Sequence, residues 1–187
     1  MGFSPSMSSA QEPPKTKSNL QYQNKIGPSI ISVAENFLGQ EYVWEGRGYG
    51  GKTGTMDCLG LVFRAYAKIF KENWVQYPVN PIDMVKSPYF GSPIPELQGV
   101  PYHKVFTPEK LQHLLPGDLI YFLIEDYDKT CAECFITEAN GKRYGGWHTA
   151  LSMGGDKIIH ADPSSVVKKD KLQNISFDAL YVSRRTQ

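Results

Sequence analysis

The 187-residue sequence contains no apolar run approaching the roughly 20 residues of a membrane-spanning helix, so no segment is read as crossing a bilayer. It also lacks an excess of charge. Twenty Lys and Arg stand against 19 Asp and Glu, for a net charge of +1 and a pI near 7.7. Without a basic footprint, nucleic acid is not an expected partner. Cysteine is scarce: three residues, an odd number, argue against a disulfide framework and leave at least one thiol free. There is no internal repeat. The start, Met1 to Ala10, has neither a basic region nor an apolar core, so no secretory signal is read in it. Met1-Gly2 followed by Ser6 fits the N-myristoylation pattern, a match too short to carry weight.

What is present is an ordinary globular balance. With 41% hydrophobic and 21% charged residues, the chain can bury one good core. Residues 1–24 are rich in Ser, Pro, Gln, Asn and Lys and are expected to be a disordered tail or linker, with one domain over 25–187. A short amphipathic helix is expected from Pro28 to Gly39, proline at its start and glycine at its end. A glycine-rich loop, Gly46 to Gly51, then leads to the stretch Thr55 to Phe70.

In that stretch Leu61, Val62, Ala65, Tyr66 and Ile69 form one apolar stripe at helical spacing, and Thr55 or Asp57 can serve as N-cap. Cys58 therefore falls in the first turn. The partial positive charge at a helix N-terminus favours thiolate over thiol, which suits a nucleophile. A lone cysteine is otherwise a small core residue, so the reading depends on what else the chain supplies.

The second half supplies histidines. From Asn73 to His103 prolines cluster, and a long connection with one helical turn near Asp83 to Lys86 is expected. Thr107-Pro108-Glu109 caps a short helix ending at Leu115-Pro116-Gly117, and Asp118 to Ile124 reads as a buried strand. Glu125 to Gly146 is a polar excursion. Strands over Trp147 to Met153 and Lys157 to Ala161 follow, joined near Gly154-Gly155, and Leu180 to Ser183 adds another. Helices first and an antiparallel sheet afterwards make an α+β architecture.

His148 and His160 lie 12 residues apart on the hairpin. A connection with an odd number of residues places both side chains on one sheet face, whereas a two-residue Gly154-Gly155 loop separates them. On the shared face Ala150 and Ser152 are small enough for a helix N-terminus to dock. A cysteine nucleophile needs a base within hydrogen-bond reach and a third group to orient that base, and Cys58, His148 and His160 supply the set.

These segments carry a resemblance. Tyr42-Val43-Trp44 before the glycine loop, Asp57-Cys58-Leu59-Gly60-Leu61-Val62, Leu115-Pro116-Gly117-Asp118-Leu119-Ile120-Tyr121-Phe122, and the two-histidine hairpin His148 to Ala161 occur in the order seen in the NlpC family. These are bacterial cell-wall cysteine endopeptidases with a compact papain-like fold. The match spans roughly residues 28–162. The resemblance implies Cys58 as nucleophile, His148 as base and His160 as orienting residue. Tyr42 would lie beside the cysteine, Asp57 would face the substrate amine, and Trp44 and Trp147 would contact substrate. It implies a peptidoglycan stem peptide cut between D-γ-glutamyl and the diamino acid, no cofactor or metal, a monomer, and an extracytoplasmic site of action. An amidase or a thiol acyltransferase on the same fold is the alternative within the family. The chain departs from the pattern at Leu59, where Ser is usual, and in longer segments after Trp44 and before His148.

Two motifs compete. Gly46 to Thr53 satisfies the phosphate-loop pattern in full, but a phosphate loop needs a buried strand directly before it and parallel strands alternating with helices. The segment Gln40 to Glu45 is short and polar. Cys131-Ala132-Glu133-Cys134 is half of a zinc site without its second half, and is read as two thiols or a local disulfide.

Overall fold

The computed structural model of the chain describes residues 20–46, 56–72, 81–125, 135–139 and 141–187. A π-helical turn, Tyr22–Ile26, runs into helix α1, Gly27–Glu35. Helix α2 spans Cys58–Phe70, and three short helices follow: α3, Pro81–Lys86; α4, Tyr102–Val105; and α5, Pro108–Leu111. The strands are β1, Ser92–Pro101; β2, Leu119–Glu125; β3, Thr137–Ala139; β4, Lys142–Gly154; β5, Lys157–Ala161; β6, Val167–Lys171; and β7, Ala179–Arg184. They form one sheet in the order β1-β7-β2-β4-β5-β6, with β3 paired to β4, and every pairing in it is antiparallel. The expected α+β architecture, helices on an antiparallel sheet, is what the chain adopts.

Period-two alternation divides the sheet's side chains between two cores. Leu119, Tyr121, Leu123, Leu151 and Ile159 face α1 and α2, meeting Ile30, Leu61, Val62 and Tyr66. Ile120, Phe122, Ala150, Ile158, Leu180 and Val182 face the other way, under Leu97, Val105, Leu172, Ile175 and Phe177. The sheet is thus covered on both sides, which explains why Leu119 to Leu123 are buried without a break.

Where the Leu115-Pro116-Gly117-Asp118 turn meets α1, Gly27 is required: a Cβ there would stand 2.0 Å from the Pro116 carbonyl oxygen. Asp118 is fully buried. Its Oδ2 accepts the Leu115 N–H at 2.8 Å, and the Arg184 guanidinium grips both carboxylate oxygens at 2.7 Å. One carboxylate therefore fixes the turn before β2 and ties it to the end of β7.

Two expectations need correction, and one strand was not foreseen. The folded part begins before residue 24, because the helical stretch starts at Leu20 and Tyr22 is fully buried among core residues. The proline-rich connection contains a ten-residue strand, β1. It lies at the sheet edge, where proline's missing N–H costs no ladder bond. The lysine-rich segment Val167 to Lys171 is the opposite edge strand, β6, its charges facing solvent as edge strands favour.

Candidate active site

Helix α2 is built for its first turn. Asp57 stands in extended backbone with φ −96°, and its Oδ1 accepts the Gly60 N–H at 2.6 Å as N-cap. Cys58 follows as the first helical residue, with 9% of its surface exposed. The helix docks on the sheet through Thr149, whose hydroxyl donates to the Cys58 carbonyl at 3.1 Å. Burial and the neighbouring Asp57 carboxylate push the Cys58 thiol up to about 11, while Thr149 hydrogen bonds pull the other way. Leu59, at the position where the family usually has Ser, is buried in the core beneath α2.

The hairpin resolves the register question. Leu151 pairs with Ile159 and Ser152 with Ile158, but Gly154 pairs with Lys157. A one-residue bulge at Met153 thus precedes a two-residue turn, Gly155-Asp156. Gly154 and Gly155 take φ values of +99° and +60°. The extra residue acts as the odd member, and His148 and His160 share a face. His148 Nε2 and His160 Nδ1 are 2.8 Å apart. Each ring is about 1% exposed. Phe122 stacks on His148 at 5.7 Å, and Trp147 lies over it at 5.1 Å. Burial, then the second ring, hold His148 down to about 3, and burial lowers His160 as well.

The shared face is not the one on which α2 docks. His148 and Ala150 point to the side lined by Phe122 and Ile158, while α2 meets Thr149 and Leu151 on the other. Ala150 fills the far core instead of leaving room for a helix. Cys58 comes to the strand beside His148 through the next residue, and no hydrogen bond joins the thiol to His148. The His148 Nδ1 is buried without a hydrogen-bond partner. That orphaned nitrogen is where a base would present its lone pair.

The remaining residues are less closely gathered. Tyr42 makes a parallel bridge to Met56, two residues ahead of Cys58, and its N–H donates to the Ser165 carbonyl at 3.1 Å. Trp44 is 76% exposed and Trp147 39%. Asp57 is buried and engaged as a cap. Sequence reasoning missed Thr149, Asp118's partner Arg184, and the charged group behind His160, because none carries a motif. The phosphate-loop residues 47–53 lie outside the described residues, as do Cys131 and Cys134. The described surroundings do not supply a phosphate loop's context: Glu41 and Tyr42 make isolated bridges only, and the sheet has no parallel pair. No helix among the described residues is long and apolar enough to cross a membrane.

Comparison with known proteins agrees with this architecture. The NlpC/p60 domain of the peptidoglycan hydrolase SagA is similar at 19% identity and TM-score 0.50, over 85% of this chain and 98% of that one. NlpC1 from Trichomonas vaginalis gives 20% identity and TM-score 0.54, over 86% of this chain and 44% of that longer one. RipD from Mycobacterium tuberculosis, a non-catalytic NlpC/p60 domain protein adapted to peptidoglycan binding, gives 20% identity and TM-score 0.50, covering 86% and 98%. A search of curated proteins finds no match to the chain. The sequence profile of the NlpC/P60 family matches residues 39–186, and with the two-histidine hairpin and the helix that opens on Cys58 in place, the chain belongs to the NlpC/P60 family.

Proposed function

We propose that this chain is a cell-wall hydrolase, a cysteine endopeptidase that cuts peptidoglycan stem peptides between D-γ-glutamyl and the diamino acid. The observation that carries the reading is the buried His148–His160 pair, whose free Nδ1 lies on the strand that docks the Cys58 helix. In this mechanism His148 takes the Cys58 proton at Nδ1, and the thiolate attacks the peptide carbonyl. His148 then protonates the departing amine, and water hydrolyses the thioester. The Cys58 N–H, at the helix N-terminus, stabilises the oxyanion with Tyr42 beside it. Asp57 supplies negative charge toward the substrate's free amine, and the exposed rings of Trp44 and Trp147 offer apolar contact. Such a substrate places the action outside the cytoplasm.

A second reading, a binding module without turnover, is favoured by the absence of a hydrogen bond between the thiol and His148. One experiment separates the two. Defined muropeptides are incubated with the protein and with Cys58→Ala, and products are read by mass spectrometry. Cleavage by the native chain alone supports the hydrolase. Binding without products by both leaves a peptidoglycan-binding module.

A further inference from the structure

Beside the histidine pair lies a cavity of about 230 Å³ lined by Trp147, His148, His160, Lys168 and Asp170 among others. His160 is on β5 and Asp170 on β6, the neighbouring edge strand. The His160 Nε2 is buried without a hydrogen-bond partner, and the Asp170 Oδ2 stands 3.8 Å from it. The other Asp170 oxygen, Oδ1, is committed to the Lys171 N–H at 2.8 Å and the Asn174 amide at 2.5 Å. Lys168 reaches the same Asp170 Oδ2 at 3.1 Å and Asp162 Oδ2 at 2.7 Å, so the carboxylate is clamped in place with one oxygen shared between Lys168 and the His160 side.

We infer that Asp170 is a positioning residue that sets the tautomers of both histidines and thereby leaves the His148 Nδ1 bare to act as base. This rests on the assignment of Cys58 and His148 as nucleophile and base. Each neutral imidazole carries one proton, and the 2.8 Å contact admits two arrangements. If His160 holds its proton at Nδ1, it donates to His148 Nε2. His148 must then be protonated at Nδ1, and the His160 Nε2 lone pair faces a carboxylate. If His160 holds its proton at Nε2, that N–H points at Asp170, directly or through one water in the cavity. His160 Nδ1 then accepts from His148 Nε2–H, and His148 Nδ1 is free. Only the second arrangement puts a donor opposite the anion. When His148 gains the thiol proton, the resulting positive charge is shared toward His160 and answered by Asp170 and Asp162 across the cavity, with Lys168 as the opposing cation.

Two substitutions in the full chain test this. Asp170→Asn keeps the size and the Oδ1 acceptor but turns an N–H toward His160; Asp170→Ala removes all the bonds and lets water reach the ring. Ring ¹⁵N NMR at pH 7.5 reads the tautomers without turnover. The native protein should show His148 and His160 protonated at Nε2, and Asp170→Asn should move both protons to Nδ1. On muropeptides, Asp170→Asn should lose kcat by about tenfold or more with KM unchanged, and lose more than Asp170→Ala. A merely structural role gives the reverse ranking, because alanine sacrifices more contacts. Ring shifts unaltered in Asp170→Asn, or alanine as the more damaging change in kcat, overturn the inference. Should the native chain cut no muropeptide while the tautomers switch as described, the hydrolase reading fails and the positioning role of Asp170 stands.

Discussion

Cys58 is expected to rest as a thiol and His148 as a neutral imidazole, not as an ion pair. Burial and the Asp57 charge hold the thiol at about 11, and burial with the second ring holds His148 at about 3. Both shifts keep the proton on sulfur, and about one thiol in 10,000 is ionised at pH 7. The assay is alkylation of Cys58 by iodoacetamide from pH 4 to 10, followed by peptide mass mapping that separates Cys58 from Cys131 and Cys134. The rate should rise about tenfold per pH unit through neutrality and reach no plateau below pH 9, because only the thiolate reacts. Asp57→Asn keeps an N-cap but removes the nearby negative charge, so its thiol should ionise at lower pH and react faster at pH 8. A plateau already present by pH 6 would refute the reasoning, since it shows a standing thiolate–imidazolium pair.

Four further outcomes are expected. His148 has a folded value near 3 against an ordinary 6.5, so below pH 6.5 the unfolded chain binds the proton first and stability falls. From pH 7.5 to 5 that loss is about 2 kcal/mol, read from urea midpoints, and His148→Gln should lack it. Arg184→Ala leaves the buried Asp118 carboxylate unpaired and should cost about 3–5 kcal/mol in a denaturant titration. Arg184→Lys, which keeps charge but not the two-pronged grip, should recover only part of it. Thr149→Val removes the bond to the Cys58 carbonyl, about 1 kcal/mol by urea midpoint, and should slow alkylation at pH 8 by raising the thiol further.

The helix of Cys58 was legible from its apolar stripe, and the strand after Asp118 from an unbroken apolar run that is buried on both faces. The histidine hairpin was legible only as a condition. An even separation on two strands says nothing until the connection is known, and the chain meets the condition with a bulge at Met153 that no residue type announces. Strand β1 was hidden by its prolines and β6 by its lysines, since composition argues against strands except at an edge, and sequence does not say which strands are edges. The face on which α2 docks was misread for a related reason. Ala150 looked like a space left for a neighbour, yet it packs with Phe122 and Ile158 in a second core covered by the edge strand β1, the short helix α4 and the segment Leu172 to Phe177.

Because β4 runs between the Cys58 helix and the cavity at Asp170, the sheet works as a partition. The Cys58 helix docks on one face and the Asp170 cavity opens on the other, and the two edge-on imidazoles link β4 to β5 on the cavity side. Substitutions around Lys168 and Asp170 are therefore expected to reach the histidine pair from the cavity side while the docking of the Cys58 helix through Thr149 stays in place.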